Sequence, residues 1–305
     1  MKKQIWAVGG GKGGTGKSVI SSLFAANAAG KGKKVILVDG DMGGANLHTF
    51  FKISPDKSSL NDFFDKKIPL SETLIDTNIP GLRLISGDMR SFNPLSVKYI
   101  QRLKFYRHVK ELEADIIILD LGAGTALNTL DSFLLADKMI LVSTPEITSI
   151  ENLYVFVKKI IVRKIKDMLS YEGFREVDKT VLKAGLSSRE TIKFSDFIVF
   201  LKDLGEKQEK IVNKGLGEVQ VHLVLNQVRG KAYSKYGISL KSVLKRHFNI
   251  NALFAGYLDY NDKIRELVNG DADMDSVLKN GGISSSIDFI STNIRKGSDV
   301  NFNEL

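Results

Sequence analysis

Runs of consecutive apolar residues recur along the chain and predict the strands of a buried sheet. The longer runs are QIWAV (4–8), KVILVD (34–39), DIIILDLG (115–122), KMILVSTPE (138–146), VHLVLNQV (221–228) and LFAGYLDY (253–260). They are continuous rather than alternating, which is typical of parallel strands covered on both faces. A shorter run, LRLIS (82–86), predicts another strand, and segments with helical spacing, such as 97–113, lie between the runs. The pattern therefore predicts an α/β fold, a doubly wound and mostly parallel sheet flanked by helices.

One connection is too long for a simple crossover. More than 70 residues separate STPE (143–146) from VHLVLNQV, whereas a crossover helix needs roughly a dozen or two. We expect a helical elaboration at about 164–218, packed on the sheet, with an apolar stripe at Phe197, Leu201 and Leu204. The whole chain, 1–305, is then one domain.

A second apolar stripe marks the C-terminal part of the chain. Ile283, Ile287, Ile290 and Ile294 follow each other at spacings of four, three and four residues, which predicts a helix at 283–296. The opposite face is rich in serine and threonine, and its basic residues are Arg295 and Lys296. Because helices that bind membrane surfaces carry more Lys and Arg, we expect this helix to face the protein core.

Composition narrows the chemistry that the chain can perform. The 305 residues are 43% apolar and 26% charged, and none is cysteine. Disulfides, thiolate metal sites, iron–sulfur clusters and cysteine nucleophiles are therefore excluded from these residues. The first residues do not develop the apolar stretch of a signal peptide, and no run is long enough to span a bilayer. We expect a cytoplasmic protein, and binding to the inner face of the cell membrane stays open.

The net charge of +9 indicates an anionic partner such as nucleotide, nucleic acid or acidic lipid. Basic residues concentrate in 155–166 and 229–246, and neither segment contains an acid. Solvated helix faces would give the same pattern. Charge alone therefore does not choose among these partners.

The stretch GGGKGGTGKS (9–18) carries the strongest signal for chemistry. Residues 11–18 match G-x-x-x-x-G-K-[ST] between a predicted strand and a predicted helix, as a phosphate-binding loop requires. The loop N–H groups converge on phosphate, Lys17 contacts the β- and γ-phosphates, and the Ser18 hydroxyl binds Mg²⁺. The predicted nucleotide-binding residues here are Gly11, Lys12, Gly13, Gly14, Thr15, Gly16, Lys17, Ser18 and Val19. This motif does not account for the extra lysine, Lys12.

The run KGGTGKS resembles the deviant Walker A motif of the MinD/ParA family. In that family a signature lysine reaches across an ATP-sandwiched dimer to the phosphates bound by the other subunit. The resemblance implies that Lys12 is catalytic in the partner's site, where it acts as an arginine finger does. It also implies an ATP-dependent homodimer that slowly hydrolyses ATP to ADP and phosphate.

The remaining family segments follow in order. VDGDMGGANLH (38–48) resembles the first switch, in which Asp41 orients or deprotonates the attacking water and Asp39 lies near Mg²⁺ through a water. IIILDLGAGT (116–125) resembles the second switch, in which Asp120 binds Mg²⁺ through water and Gly122 senses the γ-phosphate. Asn226 in LVLNQV (223–228) matches a family asparagine that pairs with adenine. ATP and Mg²⁺ are the implied cofactors.

The segment DMGGANLH is most similar to the MinD and FlhG branch of the family. This branch implies a switch whose ATP-bound dimers position a cellular structure, such as flagella, at a membrane or pole through a membrane surface or a protein machine. A partition ATPase of the ParA type, which binds DNA nonspecifically, is one alternative. A small-molecule P-loop ligase similar to dethiobiotin synthetase is another. A metal-cluster carrier of the same superfamily would need cysteines.

Overall fold

The computed structural model describes residues 2–41, 44–54, 58–87, 99–171 and 205–300. These residues form one sheet of eight strands in the order β3-β4-β2-β5-β1-β6-β7-β8. The strands are β1 (Gln4–Gly9), β2 (Val35–Asp39), β3 (Ile75–Asp76), β4 (Leu82–Ile85), β5 (Ile116–Asp120), β6 (Lys138–Ser143), β7 (Gln220–Val228) and β8 (Asn251–Asp259). Only β3, at one edge, runs antiparallel to its neighbour. The predicted α/β fold is confirmed, and the pattern missed only β3, which is too short to show a period.

Helices cover both faces of this sheet. The described α-helices are Lys17–Gly30, Leu47–Phe50, Leu60–Phe64, Tyr99–Glu111, Leu127–Leu135, Ile147–Tyr171, Glu206–Gly217, Lys235–Phe248, Asp262–Asn269, Met274–Leu278 and Gly281–Lys296, with 3₁₀ turns at Leu70–Thr73 and Lys231–Ser234. Alternate residues of β1 enter opposite core layers: Ile5 and Ala7 pack on one side, Trp6 and Val8 on the other. Two covered faces explain the continuous apolar runs.

The long connection between β6 and β7 begins with one continuous helix. It runs from Ile147 to Tyr171, so the boundary predicted at 164 falls inside it. Its buried residues are spaced along its whole length, from Leu153 to Leu169, and no break in the stripe ends the helix earlier. After the undescribed part, the helix Glu206–Gly217 buries Val212 and Leu216 in the same core layer. The stripe predicted at Phe197, Leu201 and Leu204 lies outside the described residues.

The last described helix, Gly281–Lys296, packs against β8 and against the helix that follows the phosphate-binding loop. All four isoleucines of its stripe are at most 2% exposed. The Asn280 side chain accepts a hydrogen bond from the Ile283 N–H at 3.2 Å and caps the first turn. Gly297, at a φ of 67°, ends the helix in the left-handed conformation. Within the described residues, every helix is too short or too polar to span a bilayer.

Candidate nucleotide-binding site

The predicted site residues gather at the carboxyl ends of the central strands. The paired register of β1, β5 and β2 sets Val8 beside Asp120 and Asp120 beside Asp39. A cleft of about 420 Å³ opens at this edge, which is where open α/β sheets bind their ligands. Its lining includes Gly13, Gly14, Gly16, Lys17, Ser18, Val19, Asp41, Asn46, Phe50, Asn226, Gln227, Asp259, Tyr260, Asn261, Ile264 and Arg265.

The loop from Gly10 to Gly16 needs glycine for two different reasons. Gly14 and Gly16 have φ values of 78° and 84°, a region that side chains disfavour. Gly16 also has a close neighbour, because a Cβ atom there would lie 2.1 Å from Asn226 Nδ2. The helix Lys17–Gly30 begins directly after Gly16, so its free N–H groups point into the cleft region where phosphate binds.

Gly11 and Gly13 provide a test of this packing. A Cβ atom on Gly11 would lie 1.9 Å from the Asn152 carbonyl oxygen, whereas one on Gly13 would meet no atom within 4 Å. Gly11→Ala is therefore expected to lower the free energy of unfolding by about 1–3 kcal/mol, and Gly13→Ala by less than about 0.5 kcal/mol. Urea denaturation of both proteins without nucleotide measures the difference. Equal stabilities would contradict the close approach of the loop to the helix Ile147–Tyr171.

Lys17 and Lys12, the two lysines of the loop, contact different groups. Lys17 is 7% exposed, lines the cleft, and donates a hydrogen bond from Nζ to the Lys12 carbonyl oxygen at 3.2 Å. Burial lowers the pKa of Lys17, and the nearby charges of Asp120 and Asp41 oppose that shift. Lys12 does not line the cleft. Its Nζ lies 3.1 Å from Glu146 Oε2 and 2.9 Å from Thr148 Oγ1, and its side chain is 37% exposed.

Asp120 and Asp39 are both buried at the ends of adjacent strands. Asp120 accepts hydrogen bonds from the hydroxyls of Ser21, at 2.9 Å, and Ser18. Burial raises the pKa of Asp120 to about 6, although these bonds and Lys17 lower it in part. Burial, and then the charge of Asp120, also raise the pKa of Asp39 well above its ordinary value.

Asp39 holds the segment that follows β2. Its carboxylate accepts the backbone N–H groups of Asp41 and Leu47, each at 3.2 Å. These two bonds fix the start and the end of the turn that carries Asp41. Asp39 does not itself line the cleft.

Asp41 lies where the two predicted switch segments meet. A Cβ atom on Gly122 would lie 2.9 Å from Asp41 Oδ1, so the Asp41 carboxylate rests directly on the glycine of the second segment. Asp41 also lines the cleft beside Lys17 and Ser18. It is therefore placed to contact a molecule bound in front of the loop.

The oxygen groups near the cleft fit Mg²⁺. The Ser18 hydroxyl and the carboxylates of Asp39 and Asp120 are hard oxygen groups, and a cation beside the two buried acids would favour their charged forms. In the described part of the chain, no group of three or more His, Asp or Glu side chains is placed to hold a metal ion.

The structure also adds to the site three residues that the sequence did not single out, Gln227, Glu146 and Thr148. Asn226, predicted to pair with adenine, donates from Nδ2 to the Thr15 carbonyl oxygen at 2.9 Å, and its neighbour Gln227 donates to the Gly14 carbonyl oxygen at 3.2 Å. Glu146 and Thr148 hold Lys12. Glu146 and Thr148 follow β6, and no local pattern in the sequence links them to Lys12.

Comparison with known proteins agrees with this geometry. The ParA family, described as an NUBPL iron-transfer P-loop NTPase, matches residues 1–166, more than half of the chain. The chain belongs to the ParA family of P-loop NTPases. Members of the MinD/ParA family are ATPases. These 305 residues contain no cysteine, the residue that holds an iron–sulfur cluster through its thiolate.

Curated relatives of the chain include a flagellum site-determining protein and an antiactivator. It is 33% identical over 157 residues to the flagellum site-determining protein YlxH of Helicobacter pylori, a match that covers 50% of this chain and 52% of YlxH. It is 28% identical over 158 residues to the antiactivator FleN of Pseudomonas aeruginosa, covering 51% of this chain and 55% of FleN. The match thus spans about half the length of each of these curated relatives.

Among solved structures, the septum site-determining protein MinD of Pyrococcus horikoshii, complexed with Mg-ADP, is similar over 97% of both chains. The TM-score is 0.62 and the sequence identity is 18%. At this identity the similarity establishes the fold. The chain therefore has a MinD-like fold.

Proposed function

We propose that this ParA-family protein is a MinD-like ATPase switch, which dimerises with ATP and positions a cellular structure until hydrolysis separates the subunits. The observation that carries this proposal is the placement of Lys12. Its ammonium group is bonded to Glu146 and Thr148 and lies outside the cleft, while Lys17 lines the cleft. A second loop lysine that does not serve its own site is suited to serve the site of another subunit.

In the proposed hydrolysis of ATP, several residues of the chain have separate roles. Loop N–H groups and Lys17 hold the phosphates, and Asp41 orients the water whose oxygen attacks the γ-phosphorus. The bond between the γ-phosphorus and the oxygen that bridges it to the β-phosphate breaks, and ADP leaves. The protons of the water pass to the products or to Asp41. Ser18, with Asp39 and Asp120 through water, would hold Mg²⁺, and the bound ion would neutralise negative charge on the phosphates. Lys12 of the second subunit adds positive charge to the transition state.

Association has to release Lys12 from its contacts within the chain. The Lys12–Glu146 pair is 37% exposed on the lysine and 63% exposed on the glutamate. An ion pair this exposed contributes only about 0–1 kcal/mol, so contact with a phosphate group can replace it at little cost. Lys12 is therefore restrained in a single subunit and available to a dimer.

We propose that the dimer makes contact with its partner through the two basic segments, 155–166 and 229–246. The hydrogen bond from Tyr154 to His247, 3.1 Å between the Tyr154 oxygen and His247 Nδ1, joins the helices Ile147–Tyr171 and Lys235–Phe248. This contact brings the start of the segment 155–166 close to the end of the segment 229–246, where Lys245 and Arg246 are exposed. The isoleucine stripe of the last helix is buried, so this stripe is not available to a membrane. Anionic lipid headgroups are therefore the proposed contact, and nonspecific DNA is the competing one.

The proposal is tested with Asp41→Ala, which should retain ATP without hydrolysing it. Light scattering should give the mass of a dimer with ATP and Mg²⁺ and the mass of a monomer with ADP. Co-sedimentation then compares vesicles containing anionic lipid with plasmid DNA. ATP-dependent pelleting with vesicles supports positioning at a membrane, pelleting with DNA alone favours a partition ATPase, and a monomer under all conditions would overturn the switch.

A further inference from the structure

Two neighbouring residues of β7 contact the phosphate-binding loop. Asn226 Nδ2 donates to the Thr15 carbonyl oxygen at 2.9 Å, and Gln227 Nε2 donates to the Gly14 carbonyl oxygen at 3.2 Å. In a regular strand, successive side chains point to opposite faces of the sheet. Asn226 and Gln227 therefore should not reach the same loop, and a local feature of the backbone has to bring them together.

The backbone at Gln227 supplies that feature. Its φ is 58°, in the left-handed region, and the pairing of β7 with β8 changes register between Leu225 and Val228. A bulge of this kind redirects a side chain that would otherwise point away. Positive φ is uncommon for a residue such as glutamine, and it persists where the surrounding structure holds it. Here it is combined with a hydrogen bond to the loop.

The two carbonyl contacts also determine where the loop N–H groups point. In a planar trans peptide, the C=O and the N–H of the next residue point in opposite directions. Holding the carbonyl oxygens of Gly14 and Thr15 toward β7 therefore turns the N–H groups of Thr15 and Gly16 away from β7. N–H groups on the concave side of such a loop are the ones that bind phosphate oxygens.

We propose that Gln227 is a positioning residue that, together with Asn226, fixes the N–H groups of Thr15 and Gly16 in their phosphate-binding orientation before nucleotide arrives. This inference rests on the proposed nucleotide-binding function of the loop. We call the side-chain amides of Asn226 and Gln227 the amide clamp. It acts through the loop backbone and needs no contact between Gln227 and the nucleotide.

The two members of the amide clamp differ in what their loss should change. Asn226 is 3% exposed and lies against Gly16, so replacing it would disturb packing as well as the hydrogen bond. Gln227 is exposed, and a single exposed hydrogen bond contributes little to global stability. Losing the Gln227 amide should therefore loosen the loop while the protein stays folded. This makes Gln227 the residue to test.

The experiment compares Gln227→Met, which keeps the length of the side chain and removes its N–H donor, with the parent protein. In the absence of nucleotide, amide hydrogen exchange in residues 13–18 should rise several-fold, and the dissociation constant for MgADP should rise about tenfold. The melting temperature should stay within about 2 °C. Gln208→Met, in the helix Glu206–Gly217, is the matched control and should change none of these values. Unchanged exchange in the loop of Gln227→Met would overturn the amide clamp.

The two hypotheses remain separable in this design. If the parent protein does not bind MgADP, the proposed function fails, while exchange measured without nucleotide still decides whether Gln227 orders the loop. If exchange is unchanged but MgADP binds more weakly, Gln227 contacts the nucleotide directly and the amide clamp is wrong.

A second pair of variants tests the backbone part of the inference. Gln227→Ala and Gln227→Gly both lose the side-chain amide, but only glycine adopts a φ near 58° without a steric penalty. We expect equal exchange in the loop for both, and a melting temperature a few degrees higher, on the order of 4 °C, for Gln227→Gly. A lower melting temperature for the glycine variant would show that Gln227 does not adopt the left-handed conformation.

Discussion

Lys12→Ala is expected to bind ATP as a monomer with nearly unchanged affinity and to lose dimerisation and turnover together. Lys17 and the loop already face the cleft, whereas the Lys12 ammonium group forms hydrogen bonds with Glu146 and Thr148 outside the cleft. Its charge matters only when a second subunit closes over the phosphates and lowers the effective dielectric around them. By analogy with arginine fingers, turnover should fall at least about 1,000-fold. Phosphate release and light scattering measure the two losses.

Mixing Lys12→Ala with Asp41→Ala subunits decides whether the lysine acts in the partner's site. In a mixed dimer, one site has an intact Asp41 and receives Lys12 from the other subunit, so it is complete. Each mixed dimer has one complete site out of two, so mixing should restore part of the hydrolysis that both variants lack by themselves. If Lys12 acts in its own subunit, each subunit lacks an essential group, and no mixing ratio restores hydrolysis.

Asp120→Asn is expected to stabilise the nucleotide-free protein at neutral and alkaline pH while removing its response to Mg²⁺. Burial raises the pKa of Asp120 from 3.8 to about 6, so folding disfavours the charged carboxylate. This penalty is absent below about pH 4, grows as pH rises, and is complete above about pH 6, where it amounts to about 3 kcal/mol. Asparagine carries no charge, and its amide can still accept from Ser21 and donate to Ser18.

The free energy of unfolding, measured by urea denaturation, should therefore be higher in Asp120→Asn than in the parent at about pH 8 and equal at about pH 4. Adding MgADP should stabilise the parent more than ADP with a chelator does, and this difference should vanish in the variant. Asp76→Asn, at an exposed acid, is the control and should match the parent at both pH values. A variant that is no more stable than the parent at about pH 8 would contradict a buried charge at Asp120.

Much of the fold and the centre of the candidate site can be predicted from local patterns. Continuous apolar runs gave seven of the eight described strands, because a strand covered on both faces needs apolar side chains at every position. The loop motif predicted Lys17 and Ser18 as site residues, because the spacing of the motif is set by a single backbone turn that surrounds a phosphate. The isoleucine stripe gave the last helix and the face that it buries, because helical periodicity repeats within a few residues.

The other features depend on which distant parts of the chain meet. Lys12 and Glu146 are 134 positions apart, and Gln227 and Gly14 are 213 positions apart, so no local period relates them. Their contacts exist because β1, β6 and β7 are neighbours in the sheet and their carboxyl ends share one edge. Asp39 was predicted from the sequence to lie near Mg²⁺. Its hydrogen bonds to the backbone N–H groups of Asp41 and Leu47 could not be predicted from the sequence. The chemistry of the loop is therefore local, whereas the restraint of Lys12 and the support of the loop arise from strand order.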